Sequence, residues 1–337
     1  MSARTFSLWM EILDYGRWAP SPHNIQSWRF RLEEDSSCTL LYDPKRLLPD
    51  TDPTGRFCTA GFGLLIEMLD IAAAPRGLSV KAEFLTRELD AKSPQLMPFA
   101  RLTLVERQIP ETLDRQLILD RRTSRLPYDD APVSRAVLEE LATIADGFGH
   151  KFEFSTDPKE VAWTVRLNAD TMFFDMSDPI ARNEVGGWIR FSRAEARRRA
   201  DGLAAYAMHF PGLLMRLFVQ ANYLFRVPGI YHAVRWFYER SMRGTKTVAW
   251  LSGPYGNHDE WINTGRMLAR LWLTMTKHGV YLHPFGSVIT NAKAHARLAK
   301  HFDDGSRKHD LWLLLRLGHS DVPPSAHRLT LEQLLVR

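Results

Sequence analysis

The sequence predicts an α+β chain, a mixed sheet flanked by helices and built twice. Three observations predict it. Segments with apolar residues at helical spacing alternate with short runs rich in strand formers. Two helical stretches of equal length, 63–77 and 265–279, are bounded by glycine and followed by a short strand. The 337 residues make roughly two domain-sized units.

Residues 5–18 read as a helix with Phe6, Trp9, Ile12 and Leu13 on one face. The run Ala19-Pro20-Ser21-Pro22-His23-Asn24 ends it, because proline offers no backbone donor. Strands are expected over 28–32 and 39–42, then a loop over 43–55 rich in Pro and Asp. Phe62, Leu65, Ile66, Leu69 and Ala72 place a buried helix over 61–74, closed by Pro75-Arg76-Gly77. Strands at 79–85 and 100–106 complete a first unit, 1–110.

The second unit, 111–337, opens on Asp120-Arg121-Arg122-Thr123-Ser124-Arg125. Pro132-Val133-Ser134 starts a helix to 145, with Val137, Leu138 and Leu141 inward. A strand over 246–252, a helix over 265–279, a strand beginning at Tyr281-Leu282 and another over 311–317 follow. The apolar positions of the two equal helices coincide at Leu65/Met267, Ile66/Leu268, Leu69/Leu271 and Ile71/Leu273. Any two amphipathic helices ended by glycine share some of this pattern.

Residues 185–245 match nothing in the first unit. Arg190, Arg193, Arg197, Arg198 and Arg199 crowd its start, and aromatic residues mixed with arginine follow. The plain reading is a helical insertion packed on the core. A lid over a pocket and a membrane-surface helix are the alternatives, the latter because basic charge with aromatics suits anionic lipid.

Composition narrows the function. With 44 Lys+Arg against 39 Asp+Glu, the net charge of +5 suits anionic small molecules as well as nucleic acid. The arginine cluster is short and no nucleic-acid module accompanies it. Cys38 and Cys58 stand alone, which excludes a disulfide scaffold or zinc ribbon and fits a reducing cytosol. The 12 His form no HExxH pattern, so no metal is expected. The start of the chain lacks a long apolar stretch, and Arg216, Arg226 and Arg235 interrupt the apolar region 210–238. It does not reach the roughly 18 uninterrupted residues of a spanning helix, so a cytoplasmic protein is expected.

The segment Ala19-Pro20-Ser21-Pro22-His23-Asn24-Ile25-Gln26-Ser27-Trp28-Arg29-Phe30 resembles the APSxxNxQPWRF signature of the nitroreductase family of FMN-dependent oxidoreductases. Arg121-Arg122-Thr123-Ser124-Arg125 resembles its RRSxR signature, with Thr in place of Ser. Leu314-Leu315-Arg316-Leu317-Gly318-His319, with Pro323-Pro324 and His327-Arg328-Leu329, is similar to its C-terminal stretch. His283-Pro284-Phe285-Gly286 falls where the family has a loop beside the flavin. Ser27 departs from the family's Pro. The two signatures occur in reverse order here, as in the tandem, Acg-like branch.

The resemblance implies a nitroreductase-like fold duplicated in one chain as a pseudo-dimer. It implies one FMN site drawn from both units, held by Pro20, Ser21, Asn24, Gln26, Arg121, Arg122, Thr123, Arg125, Pro284, Phe285, Gly286, Arg316 and Arg328. Arg121 and Arg328 are the phosphate candidates, since guanidinium donors fork onto phosphate oxygens, with the Thr123 hydroxyl beside them. Ser21 and Asn24 add hydrogen bonds. Arg125, four residues past Arg121, would share a helical side with it and approach the flavin's N1/O2 edge. Gly286 admits close backbone approach at N5.

The implied activity is hydride transfer from NAD(P)H to flavin N5 and on to a nitro compound, quinone or similar small acceptor. No side chain is required as general acid or base. Alternatives are an FMN storage or sequestration protein with a lid, a pathway-specific flavin reductase or dehydrogenase, and a flavin-fragmenting enzyme. The chain would be a monomeric pseudo-dimer or a homodimer.

Overall fold

A computed structural model describes residues 1–175, 177–220, 227–303, 309 and 311–336. The stretch 221–226 of the predicted insertion lies outside the described residues. In chain order the first elements are α1 (Ala3–Gly16), β1 (Trp28–Leu32), β2 (Cys38–Tyr42), α2 (Arg56–Ala73), β3 (Leu78–Phe84) and β4 (Met97–Glu106). Then come α3 (Gln116–Asp120), α4 (Arg135–Asp146), β5 (Lys151–Ser155), α5 (Pro158–Asp175), α6 (Pro179–Gly187), β6 (Ile189–Arg190), α7 (Arg193–Arg199), β7 (Leu203–Ala204), α8 (Gly212–Gln220) and α9 (Pro228–Ser241). The chain finishes with β8 (Thr247–Ser252), α10 (His258–Lys277), β9 (Tyr281–Pro284), α11 (Gly286–Thr290), α12 (Ala292–His301), β10 (Leu311–Gly318) and α13 (Leu331–Leu334).

Two four-stranded sheets carry the fold, ordered β1-β2-β4-β3 and β5-β8-β10-β9. Each is antiparallel throughout, which corrects the expectation of mixed sheets. The reason lies in the connections. The long helix after the second strand of each sheet, α2 or α10, crosses to a strand running the same way, and the last strand then returns between the two. Parallel pairing is confined to β6 with β7 and to isolated bridges at Phe30/Leu335 and Thr123/Leu282.

Helices α2 and α10 pack on each other at the centre, and glycine sets how closely. A Cβ on Gly63 would lie 2.2 Å from the Ile262 carbonyl oxygen, and one on Gly265 would lie 1.9 Å from that of Ala60. The two close approaches are reciprocal, each glycine meeting a residue one helical turn before the other glycine. Apolar side chains on the remaining faces of both helices enter one shared core, from Trp9 and Phe62 to Leu271 and Leu317. Most of this burial drives folding at about 25 cal/mol per Å² of apolar surface. The C-terminal tail crosses back to the first sheet, where the Val336 N–H donates to the Phe30 carbonyl at 2.8 Å.

Predicted elements over the sheets and central helices fall within a few residues of the observed ones, and α10 begins earlier, at His258. The sequence reading omitted β5, α5 and α12. Helix α5 spreads its apolar positions around the cylinder, so its periodicity is faint. The excursion between β5 and β8 therefore starts at α5, before residue 185.

Candidate functional site

The turn after α1 is held in an unfavourable conformation. His23, Asn24 and Gln26 have φ of 47°, 55° and 49°, the left-handed region that non-glycine residues rarely occupy. Such residues persist where the surroundings over-determine them. Here the Ser21 hydroxyl accepts from the Gln26 N–H at 3.0 Å. Asn24 Nδ2 donates to the carbonyls of Gly202 (3.0 Å) and His327 (3.1 Å), and the Gly202 N–H returns a bond to the Asn24 carbonyl. Gln26 Nε2 donates to the Ala200 carbonyl at 2.9 Å and Oε1 accepts from the Leu329 N–H at 2.8 Å.

Both side chains thus bracket three segments together: the 20–26 turn, the 200–202 stretch of the excursion and the C-terminal tail. Asp201 reinforces the bracket, accepting from Arg190 at 2.7 Å and from Arg46 at 3.1 Å, while Arg46 also donates to the Ile25 carbonyl. Asn24 Oδ1 is buried with no hydrogen-bond partner among the described residues.

A second feature is a cluster of guanidiniums with almost no opposing acid. Arg121 is 6% exposed, lies over the Trp272 ring at 4.5 Å and has a buried Nε without a partner among the described residues. Arg328 Nε is in the same state. Burial, then Arg328 and Arg122, push Arg121 well below the usual arginine range. Burial, then Arg122 and Arg17, bring Arg328 down to about 10. Among the described residues Asp14, bonded to Arg17, is the one carboxylate ion-paired to the group. Gathering like charges away from water is costly unless an anion joins them. This cluster suits a compact, multiply charged oxyanion.

The 121–125 segment is not a helical turn. Helix α3 ends at Asp120, and the Ser124 N–H donates to the Leu282 carbonyl at 3.1 Å, so the segment runs extended beside β9. An extended chain spreads Arg121 and Arg125 along roughly 13 Å, and they meet different neighbours. The Thr123 hydroxyl, between them, makes no hydrogen bond among the described residues. Arg122 donates to the carbonyls of Leu119 and Arg121.

Arg125 makes no hydrogen bond or ion pair among the described residues. Burial, with Arg316 adding to it, brings it down to about 10. Burial and then Arg125 hold His23 at about 4, and burial, Arg125 and Arg316 push His283 well below its usual value. Both imidazoles are therefore neutral at pH 7. Tyr238 of α9 also faces Arg125, its hydroxyl accepting from Asn168 Nδ2 at 2.6 Å.

Arg316 is fully buried and wholly engaged by the framework. It donates to the carbonyls of Leu126 (2.9 Å) and Ser241 (3.2 Å) and to His283 Nδ1 (3.2 Å), and lies over the Tyr128 ring. It shapes the site through those partners. Pro284 pairs with Leu315 in the sheet, and the Phe285 ring is buried. A Cβ on Gly286 would meet nothing within 4 Å, so this position borders open space.

Residues from the front turn, the 121–125 segment, the β9–α11 corner and the tail thus converge. Pro20 belongs to that turn as the residue before the capping Ser21. The sequence reading gave neither His23 nor His283 a role. It missed Arg17 and Tyr238, which carry no local motif.

No family model matches the chain. It is 29% identical over 161 residues to a Mycobacterium tuberculosis protein, acg, whose name describes an NAD(P)H nitroreductase. That match covers 47% of this chain and spans about half, 48%, of the relative. It is 23% identical over 302 residues to PigM of a Serratia strain, also named as an NAD(P)H nitroreductase, covering 85% of this chain and 82% of that one. Among solved structures, a nitroreductase with bound FMN from Desulfitobacterium hafniense covers 65% of this chain and 94% of its own at 11% identity and a TM-score of 0.37. The FMN-dependent nitroreductase NfnB from Mycobacterium smegmatis, in complex with NADPH, covers 63% and 93% at 16% identity and a TM-score of 0.35. The chain has nitroreductase-family homologues.

Proposed function

We propose that this chain is an FMN-dependent oxidoreductase that takes reducing equivalents from NAD(P)H and passes them to a small nitro, quinone or similar acceptor. The observation that carries the reading is the pair Arg121, buried, and Arg328, half-buried, each with a buried Nε that has no partner and neither ion-paired to a carboxylate among the described residues. A flavin phosphate, with a charge of roughly −1.5 to −2, supplies the missing opposition. Arg121, Arg122, Thr123, Arg328 and Arg17 hold it. Asn24 Oδ1 and Arg125 address the rest of the group, Gly286 leaves room beside it, and Pro20, Ser21, Gln26, Pro284, Phe285 and Arg316 hold those contacts in place. When bound, FMN supplies hydride acceptance and two-electron delivery. The protein positions it and keeps a cation, Arg125, where negative charge grows on reduction.

One site per chain is part of the proposal, as is an internal duplication. Support comes from the matching strand orders and the reciprocal Gly63 and Gly265 contacts. The connection between α4 and β5, which corresponds to the 17–27 turn, is only the short Gly147-Phe148-Gly149-His150 run. It holds no cradle: His150 is tied instead to Trp312 and Thr264. A storage role is the second reading, favoured by the way residues 200–202 are bonded across the front turn.

The experiment is the visible spectrum of the protein supplied with FMN, then titrated anaerobically with NADPH or NADH. A retained yellow chromophore that bleaches is expected. A retained chromophore that neither nucleotide bleaches selects storage, and a colourless protein rejects both. Arg121→Ala removes a charge-assisted contact of about 1.5–3 kcal/mol. FMN should then dissociate on desalting, while unchanged flavin content removes Arg121 from the phosphate site.

A further inference from the structure

Helices α8 and α9 have two faces. Met215 and Phe218 of α8 and Val234 of α9 enter one small core with Phe173 and Ile189. The opposite faces are also apolar. Leu213 is 74% exposed, Trp236 is 61% exposed, and Leu217 is exposed as well. Soluble surfaces carry single large apolar residues freely, but a group of them with a tryptophan marks a contact.

Among the described residues the charge beside this group that is not ion-paired is positive, since both nearby acids, Asp170 and Glu239, pair with Arg235. Arg216 lies beside Leu217 on the outer face of α8, and Arg240 covers the Trp236 ring at 5.3 Å on α9. Arg243 follows just beyond the helix. The acid in α9, Glu239, is turned to an ion pair with Arg235. A second copy of this chain would set arginines against arginines across such a face. An anionic lipid surface would accept both parts: guanidiniums at the headgroups, and leucine and tryptophan side chains at the acyl boundary.

We infer that the outer face of α8 and α9 is a peripheral docking surface for anionic lipid bilayers. The inference does not depend on the flavin. Helix α9 presents Tyr238 towards Arg125 from its inner side, so the docked face lies behind one wall of the site.

The test is flotation of the full-length protein with vesicles of phosphatidylcholine alone or with about a third phosphatidylserine, in low and high salt. Partitioning onto the anionic vesicles should exceed that onto neutral ones by more than tenfold and fall in high salt. Arg216→Gln with Arg240→Gln should lower it by roughly fivefold per guanidinium. Leu213→Ser with Leu217→Ser and Trp236→Ser, which leave charge unchanged, should abolish it, with circular dichroism confirming the fold. Equal binding to both vesicle types, no binding to either, or a concentration-dependent dimer by light scattering that the triple-serine variant dissolves would overturn the inference.

Discussion

At the scale of single residues, the site is built from titratable groups that burial holds away from water and shifts towards their neutral forms. Arginines without acids are the clearest case, since a guanidinium cannot discharge itself near neutral pH and so demands an external anion. Histidines respond differently, by staying neutral. His150 shows how firmly. The Trp312 indole N–H donates to His150 Nδ1 at 3.2 Å, which requires that nitrogen to be unprotonated, and burial holds the imidazole at about 4. Because the folded value lies below the unfolded one, the folded state binds fewer protons here. This stabilisation is complete above about 6.5 and is lost as the pH falls from there towards about 4. The melting temperature should therefore decline between pH 6.5 and 4.5. In His150→Gln the same decline should be shallower, and an identical profile would remove His150 as a contributor.

At the scale of elements, glycine at two positions decides how the central helices meet. Gly265 cannot carry a methyl group without pushing the Ala60 backbone away, because the contact is with a carbonyl and no rotamer relieves it. Gly265→Ala should cost about 1–3 kcal/mol by overpacking, although alanine is the better helix former. Gly229→Ala is the control: it lies in α9, where a Cβ would meet nothing within 4 Å. There the propensity term acts alone and the change should be neutral or stabilising by up to about 1 kcal/mol. Chemical denaturation of both variants checks this. Similar losses in the two would mean that the close approach of α2 and α10 is not what Gly265 serves.

At the scale of the whole molecule, the two sheets are interlocked. The chain's last residues pair with β1, and the 121–125 segment pairs with β9. The cluster that suits an anion takes Arg17 from the front of the chain and Arg121 and Arg328 from behind it, so neither part assembles it alone. FMN should accordingly saturate at one per chain, measured as bound flavin absorbance against protein mass in a preparation whose molar mass is known from light scattering. Two flavins per chain would mean that the α4–β5 connection forms a cradle after all.

Much of this was legible along the chain. Trp28–Leu32, the central helices and β10 announce themselves because their apolar spacing is set by which face is buried. The Pro20–Gln26 and Arg121–Arg125 runs are contiguous motifs, so a role for them could be proposed without a fold. Tertiary structure decided what those motifs do. Gln26 and Arg316 look like ligand contacts in sequence, yet their polar atoms are taken by the Leu329 N–H, the Leu126 carbonyl and His283. Arg125 stands apart from Arg121 because pairing beside β9 stretched the segment between them. Arg17, His283 and Tyr238 joined the site by proximity across the fold. Periodicity records which side of an element meets the core, but the partner a polar atom finds depends on distant backbone brought near it, and a linear pattern holds no trace of that.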